Sequence, residues 1–251
     1  MLPDFIIIGV QRGGTTSLYQ YIIKHPQVVP ASQKELHFFD YNFNKGISWY
    51  QSQFIDDIKG DEHILTGEAS PYYIFHPHAP KRISKIAPSV KIIVLLRNPV
   101  DRAYSHYCHE IRMEIEKLSF ENAIKEERRR LEGEIEKMIH DETYHSFNHQ
   151  NFSYLAREIY VDQLKVWNKF FAKDQILIIC SEDFYTKPHT ITNEVFDFLG
   201  ISKHDLSVYK IFNHENHEPM NESTRKTLIE YFKPHNEKLY KFLNRNFGWN
   251  K

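Results

Sequence analysis

Unbroken runs of apolar residues recur along the chain and are separated by amphipathic stretches. Residues 5–10 (FIIIGV) and 91–96 (KIIVLL) are almost wholly apolar and rich in β-branched side chains. Such runs are typical of strands that are buried on both faces of a parallel sheet, so residues 91–96 are predicted to be internal in the sheet. Shorter runs predict further strands at residues 28–29, 64–66 and 175–180.

Helical periodicity fills the intervals between these strands. The predicted helices cover residues 15–24, 79–86, 99–116, 152–171 and 190–199. The first is expected to stop before Pro26, and the last to end at Gly200 as a C-cap. This alternation predicts an α/β fold with a central parallel sheet flanked by helices. Because no repeat or long Gly/Ser/Pro linker interrupts it, residues 1–251 are predicted to form one domain.

Residues 110–150 differ in character from the rest of the chain. Glu, Lys and Arg are dense at residues 110–141, and residues 126–130 (EERRR) are all charged. Charge runs of this kind are usually solvated helical faces. We interpret the region as a charged, mostly helical insertion, and the alternative is a projection that borders an acceptor site. The His and Asp residues at 140–149 have irregular spacing, which disfavours a metal site.

Overall charge and cysteine content narrow the class of protein. The formal net charge is −1, which gives no reason to expect nucleic acid or a membrane surface as a partner. Any anionic ligand must therefore be held by local groups. The two cysteines, Cys108 and Cys180, indicate neither a disulfide framework nor a metal site. The apolar run at residues 5–10 is too short to span a bilayer and follows Met1 almost at once, so we expect a cytoplasmic protein.

The first candidate site is the segment GVQRGGTTS at residues 9–17, directly after the first predicted strand. A glycine turn that opens a helix presents backbone N–H groups and the positive end of the helix dipole to one point. Glycines alone could simply permit a tight turn, but a cation and three successive hydroxyl residues favour a site for a phosphate-like anion. The residues predicted to form this site are Arg12, Gly13, Gly14, Thr15, Thr16 and Ser17.

The same segment comes close to the nucleotide-binding pattern G-x-x-x-x-G-K-[ST]. Gly9 and Gly14 have the required spacing, but Thr15 occupies the position of the phosphate-binding Lys. Arg97, rather than an acidic Mg²⁺ ligand, follows the apolar run at residues 91–96. An anion that carries fewer charges and needs no metal fits this loop better than a triphosphate does.

The segment VQRGGTTSL at residues 10–18 resembles the 5'-phosphosulfate loop of sulfotransferases that use 3'-phosphoadenosine 5'-phosphosulfate (PAPS). It is most similar to the branch that contains heparan sulfate N- and 3-O-sulfotransferases and many bacterial relatives. That branch usually has Lys where this sequence has Arg12, which keeps the charge but not the same donor geometry. The resemblance implies a P-loop-like α/β fold, PAPS as co-substrate, adenosine 3',5'-bisphosphate (PAP) as product, and no metal.

Residues 96–105 (LRNPVDRAYS) resemble the family's 3'-phosphate segment. There an Arg at a strand end and a Ser eight residues later bind the 3'-phosphate, and Arg97 and Ser105 have this spacing. Pro99 is predicted in the first turn of the following helix. Arg97 directly follows a buried strand, at the carboxyl edge of the sheet where α/β proteins bind ligands.

Residues 34–40 (KELHFFD) resemble the catalytic segment of the heparan sulfate branch, where a Glu is the proposed base and a nearby His and Asp assist. An extended backbone would point Glu35 and His37 to the same side, and the apolar neighbours are expected to raise the pKa of the carboxyl group. The resemblance implies that Glu35 takes the acceptor proton. His37 then orients the acceptor or stabilises the sulfuryl oxygens, Asp40 supports His37, and Arg12 stabilises the leaving phosphate.

The predicted reaction is in-line transfer of a sulfuryl group from PAPS to a hydroxyl, or alternatively an amine, of a carbohydrate or small molecule. Similarity continues at residues 44–50 and 67–73, although Ala69 replaces a Lys that follows the matching Glu in the 3-O enzymes. In the family a basic loop that contains glycine closes over the 3'-phosphate. Its place is taken here by residues 213–220, which include His214, Glu215, His217 and Glu218. Both differences disfavour a highly sulfated polysaccharide as acceptor.

Two alternatives from other classes stay open. The first is a metal-dependent, P-loop-type nucleotide kinase or NTPase, which predicts Mg²⁺-dependent nucleotide binding. The second is a non-catalytic module that binds PAP or a similar nucleotide, and the pairing of Glu35 with His37 argues against it. The oligomeric state is not predicted.

Overall fold

A computed structural model describes residues 1–54, 64–210, 212 and 218–250. Five strands form a sheet in the order β2-β3-β1-β4-β5, and each described pairing is parallel. The strands are β1 (Phe5–Gly9), β2 (Val28–Pro30), β3 (Leu65–Ala69), β4 (Lys91–Leu96) and β5 (Ile176–Cys180). β4 lies between β1 and β5, which confirms its predicted internal position.

In the described part of the chain α-helices separate the strands, and several lie between β4 and β5. The helices are α1 (Thr15–Ile22), α2 (Gly46–Gln51), α3 (Ala79–Ile86), α4 (Pro99–Arg112), α5 (Phe120–Leu131), α6 (Glu134–His140), α7 (Phe147–Asn151), α8 (Tyr160–Trp167), α9 (Ser181–Thr186), α10 (Pro188–Leu199) and α11 (Glu222–Leu243). The predicted α/β class, with a central parallel sheet flanked by helices, is confirmed. None of the described helices is both long enough and apolar enough to cross a membrane.

The chain divides into two compact units. One comprises Met1–Leu96 and Trp167–His214 and holds the sheet; the other comprises Arg97–Val166 and Glu215–Lys251 and is helical. In the first unit, side chains of β1, α1, β4 and α10 form one buried apolar cluster. The extent of a single domain over residues 1–251 stays a prediction, as does the role of residues 110–150, which contain α5, α6 and α7.

The helix predicted over residues 152–171 is confirmed only at Tyr160–Trp167, where α8 lies. The chain leaves α7 after Asn151, makes a 3₁₀ turn at Ala156–Glu158 and only then enters α8. The buried Glu127 carboxylate accepts the backbone N–H groups of Leu155 and Ala156 at 2.7 and 2.8 Å. These N–H groups therefore bond to a side chain from α5 instead of to the preceding helical turn.

One further helix is shorter than predicted, and another was not predicted. α4 ends at Arg112 rather than at residue 116, and Glu114 has a left-handed φ of 60°. The N–H groups of Ile115 and Glu116 both bond to the carbonyl of Glu110, which closes a turn there. α11 has no counterpart in the sequence analysis; its 22 residues include Pro234.

Candidate functional site

A tight glycine turn links β1 to α1, in the predicted order of strand, turn and helix. The N-cap residue Gly14 has a left-handed φ of 97°. A Cβ atom at Gly13 would lie 2.9 Å from the carbonyl oxygen of Val10 and 3.2 Å from that of Leu95, too close for any side chain. Because a glycine N-cap supplies no capping side chain, an anion can accept the first N–H groups of α1 instead.

Contacts from distant residues hold this turn in place. The Ser181 hydroxyl donates to the carbonyl of Gly13 at 2.6 Å, and the Phe212 N–H donates to the hydroxyl oxygen of Ser17 at 2.9 Å. Thr15 and Ser17 are buried along with Gly13, whereas Arg12, Gly14 and Thr16 are partly exposed. The partly exposed members are the ones that a ligand from solvent can reach directly. Ligand contacts by all six residues stay predictions.

Arg97 and Ser105 lie in the second unit, at the start of α4 and two turns along it. The Asn98 side chain caps the helix by accepting the N–H groups of Val100 and Asp101, and Pro99 occupies the first turn as predicted. Arg97 is partly exposed and Ser105 is buried. The carbonyl of Arg97 accepts the Tyr160 hydroxyl at 3.0 Å, which fixes the backbone at this position.

Glu35, His37 and Asp40 form one hydrogen-bonded group in the first unit. Nδ1 of His37 lies 2.7 Å from Oδ2 of Asp40, and Nε2 of His37 lies 3.5 Å from Oε2 of Glu35. Lys34 pairs with the other carboxylate oxygen of Glu35. The His37 ring also stacks on Tyr41, with ring centroids 4.9 Å apart. The structure thus brings three of the four predicted catalytic residues together, and Arg12, the fourth, lies in the glycine turn.

The backbone of this segment is not extended, contrary to expectation. Glu35 has φ 64° and His37 has φ 50°, so both occupy the left-handed region that residues other than glycine rarely adopt. The two side chains meet because of this turn rather than because of strand alternation. Residues held in sparsely populated backbone regions cluster at functional sites.

The charges of the group shift the pKa values of its members strongly. Burial by itself would raise the pKa of Glu35, but the hydrogen bond from His37 and the charge of Lys34 outweigh it and lower that pKa to about 2. Burial would lower the pKa of His37, but the hydrogen bonds to Asp40 and Glu35 raise it to about 10. The expected rise in the pKa of Glu35 is therefore wrong. At neutral pH the group offers an ionised carboxylate beside a protonated imidazole.

A second carboxylate lies close to residues 34–40. It was not singled out as functional in the sequence analysis. Glu68 is wholly buried in β3 and accepts the hydroxyls of Tyr50 at 2.8 Å, Tyr73 at 3.2 Å and Ser70 at 2.7 Å. Burial raises the pKa of Glu68 to about 7, against the hydrogen bonds from Ser70 and Tyr50, while the charge of Asp40 raises it further. A glutamate between the small residues Gly67 and Ala69, just after the strand predicted at residues 64–66, is the signal that could have revealed it.

Arg82 is the second functional candidate that sequence reasoning missed. Its side chain is buried, and Nη1 donates to the carbonyls of Phe39 at 3.0 Å and Asp40 at 3.4 Å. Its guanidinium lies over the ring of Phe43, 4.2 Å from the centroid. An Arg on a surface helix such as α3 usually points to solvent, so the sequence carried no signal of this role.

Other predicted features have different outcomes. Ala69 is buried at the end of β3, where its carbonyl accepts the Glu35 N–H at 3.1 Å. The predicted replacement of a basic loop involves His214, Glu215 and His217, which lie outside the described residues. Among residues 1–54, 64–210, 212 and 218–250, no group of three or more His, Cys, Asp or Glu side chains is arranged to hold a metal ion.

Sequence comparisons connect these features with known proteins. The family described as "Sulfotransferase domain" matches residues 2–247. The membrane-associated sulfotransferase kil1 of Dictyostelium discoideum is 33% identical over 313 residues, which cover 99% of this chain and 66% of kil1. The heparan sulfate glucosamine 3-O-sulfotransferase 3B1 of Mus musculus is 29% identical over 272 residues, with 99% and 65% covered. The chain thus spans just under two thirds of the length of these relatives.

One solved structure matches the fold of this chain over its full length. The crystal structure of a sulfotransferase from Alicyclobacillus acidocaldarius has a TM-score of 0.81 and 29% identity to this chain, and the match covers 100% of both chains. The resemblance first carried by residues 10–18 is confirmed by both kinds of comparison. This chain belongs to the sulfotransferase domain family.

Proposed function

We propose that this protein transfers a sulfuryl group from PAPS to a hydroxyl of a carbohydrate or small molecule. The observation that carries the proposal is the contact of His37 with both Glu35 and Asp40 in a member of this family. A carboxylate can take the proton of the attacking hydroxyl, and a cation beside it can stabilise negative charge on the sulfuryl group.

The donor is proposed to bind through its phosphate groups. The first N–H groups of α1 and the Arg12 side chain would hold the 5'-phosphosulfate, and Thr16 is accessible enough to add a hydroxyl. By resemblance to the family, Arg97 and Ser105 would hold the 3'-phosphate, because a guanidinium binds phosphate with two donors. Thr15 and Arg97 stand where a nucleotide triphosphatase has a Lys and an acidic metal ligand, which favours PAPS over a triphosphate with Mg²⁺.

The proposed step is an in-line displacement at sulfur. The acceptor oxygen forms a bond to sulfur while the bond from sulfur to the 5'-phosphate oxygen breaks, and PAP leaves with that electron pair. Glu35 takes the proton of the attacking hydroxyl. The protonated His37 stabilises the negative sulfuryl oxygens, Asp40 keeps His37 charged, and Arg12 balances the charge on the leaving phosphate.

A carbohydrate acceptor is supported by one relative, whose name states that it sulfates heparan sulfate glucosamine. The residue after Glu68 argues against a heavily sulfated chain, because the methyl side chain of Ala69 is buried and supplies no cation. An uncharged sugar hydroxyl or a small-molecule hydroxyl is therefore the proposed acceptor class, with an amine as the alternative.

Two measurements test this function. Titration calorimetry with PAP, in EDTA and in Mg²⁺, is expected to give the same binding under both conditions. Sulfuryl transfer from radiolabelled PAPS to a panel of sugars and small alcohols is expected to yield a labelled product. Binding that requires Mg²⁺ would instead identify a nucleotide kinase or NTPase. PAP binding without transfer to any member of the panel would identify a non-catalytic module.

A further inference from the structure

The hydroxyls that surround Glu68 also touch the backbone of the catalytic segment. Ser70 Oγ accepts the N–H of His37 at 3.2 Å. Tyr73 Oη accepts the N–H groups of Phe38 at 2.8 Å and Phe39 at 3.3 Å. Three consecutive backbone donors are thus bound by two hydroxyls that both contact Glu68.

The number of protons on each group determines which group donates and which accepts in these contacts. A hydroxyl has one proton to donate, and both oxygens of Glu68 act as acceptors in these contacts. Because Ser70 and Tyr73 give their protons to Glu68, their oxygen lone pairs are left to accept the N–H groups of residues 37–39. The Glu68 carboxylate therefore determines that both hydroxyls present an acceptor to the catalytic segment.

The bound donors lie at the turn that forms the Glu35–His37 contact. His37 is left-handed, and its own N–H is one of the three, so a loss of these bonds would free the backbone to leave that region. Glu35 precedes the bound stretch, and its N–H bonds to β3 through the carbonyl of Ala69. β3 and the residues that follow it therefore contact the segment on both sides of Leu36.

We propose that Glu68 is a positioning residue: through Ser70 and Tyr73 it fixes the main chain of residues 37–39 and thereby the contacts of His37 with Glu35 and Asp40. This inference rests on the proposed function where it assigns sulfuryl transfer to those side chains. The structural part, that Glu68 sets the geometry of His37, is independent of the reaction.

Tyr50 supplies a matched control. Its hydroxyl donates to the same oxygen of Glu68 as that of Tyr73, but among the described residues it accepts no N–H of residues 37–39. The variants Tyr73→Phe and Tyr50→Phe each remove one hydroxyl from the same carboxylate and leave the ring in place. Only the first removes a contact with the catalytic segment.

The expected losses are in turnover and not in donor binding. Small displacements of catalytic groups cost on the order of 100-fold in rate. We therefore expect Glu68→Gln and Tyr73→Phe to lower kcat by roughly 10- to 100-fold with PAP affinity unchanged, and Tyr50→Phe to lower it less than about threefold. Val195→Ala, in a core cluster that contains none of residues 34–42, serves as a destabilised control. Equal kcat losses in Tyr73→Phe and Tyr50→Phe, or the same loss in Val195→Ala, would overturn the proposal.

The His37 imidazole provides a readout that needs no activity. The charged groups at this ring are Glu35, Asp40 and, beside Glu35, Lys34, and the ring stacks on Tyr41. NMR titration of His37 is expected to give a lower pKa in Glu68→Gln and Tyr73→Phe than in wild type, and no change in Tyr50→Phe. If wild type transfers no sulfuryl group, the proposed function fails while this titration still decides the role of Glu68. An unchanged His37 pKa in all three variants would overturn that role.

Discussion

The loop at residues 9–17 and the segment at residues 34–41 both force a residue other than glycine into the left-handed region. In the loop this residue is Arg12, with φ 68°, and two adjacent glycines make the turn possible. Gly14 itself is left-handed, and Gly13 sits where no Cβ fits. Local residue types therefore permit the turn there, and the contacts of Ser181 and Phe212 only add to it.

The segment reaches a similar backbone conformation without any glycine. Glu35 and His37 are left-handed, and side chains from elsewhere in the sequence hold the main chain. Ser70 and Tyr73 accept its N–H groups, and Arg82 binds its carbonyls. The comparison teaches that the loop turns on its own glycines, with added support from Ser181 and Phe212, whereas the segment has no glycine and depends on side chains 30 or more positions away.

The largest expected effect is that of Glu35→Gln. General-base catalysis contributes about 10²- to 10⁴-fold, so kcat should fall by that factor. PAP affinity should stay unchanged, because an amide keeps the size of the side chain. Steady-state kinetics and calorimetry measure the two quantities. Glu114→Gln is the matched control, since Glu114 is also left-handed, at φ 60°, and exposed. A wild-type rate in Glu35→Gln would show that another group takes the proton.

The next largest effect is expected for Gly14→Ala, which tests the loop. A Cβ there would lie 2.8 Å from the Tyr185 hydroxyl, and φ 97° is costly for alanine. PAP affinity should fall by about tenfold or more, as a left-handed residue costs about 1–2 kcal/mol and the contact adds to it. Gly46→Ala is the control, because Gly46 has φ 78° and open space around it.

The steric part of this effect can be separated from the backbone part. Combining Gly14→Ala with Tyr185→Phe removes the hydroxyl that the new methyl group would meet, whereas the φ penalty remains. We expect the double variant to recover part of the lost PAP affinity. If PAP affinity does not recover, the left-handed backbone alone causes the loss of affinity. If it recovers fully, the backbone penalty contributes nothing to that loss.

The same contrast explains which parts of the molecule could be predicted. The loop, β4 and α3 were predictable because strand runs, glycines and helical periodicity act over a few residues. The proximity of Glu35 to His37 was predicted, but for a wrong reason, since it arises from a turn that distant hydroxyls hold. The helix predicted over residues 152–171 begins later than expected for a similar reason, because the buried Glu127 takes the N–H groups of Leu155 and Ala156. Buried polar contacts between distant residues leave little local pattern.

A smaller effect is expected in the pH dependence of turnover. The pKa of Glu35 is about 2 and that of His37 about 10, so both groups keep their charges across the neutral range. We expect neither Glu35 nor His37 to titrate between about pH 5 and 9, and kcat to fall by a few-fold as His37 loses its proton near pH 10. Asp40→Asn removes one of the carboxylates that raise the His37 pKa and should move this fall to lower pH. A fall centred near pH 6.5 in wild type would contradict the assigned charge state.

The smallest effect is a change in stability that needs no substrate. Glu68 has a folded pKa of about 7, above the ordinary 4.5, so the folded state holds a proton that the unfolded chain has lost. Its contribution to stability is therefore fully present below about pH 4.5 and is lost as the pH rises through about 7. Glu68→Gln cannot ionise, so its stability relative to wild type should improve between pH 5 and 8 by on the order of 1–3 kcal/mol. Thermal melting at several pH values measures this difference.

Glu127 tests whether this pH effect depends on burial or on the site. It is a buried carboxylate of the second unit, and burial raises its pKa to about 7, against the N–H groups of Ala156 and Leu155. Glu127→Gln should therefore show the same trend with pH as Glu68→Gln, while the His37 pKa stays at its wild-type value. A variant of Glu68 that gains relative stability with rising pH and yet loses turnover would separate the two roles of that carboxylate. A flat pH dependence in Glu68→Gln would mean that Glu68 is ionised throughout, with its three hydroxyl donors offsetting the cost of burial.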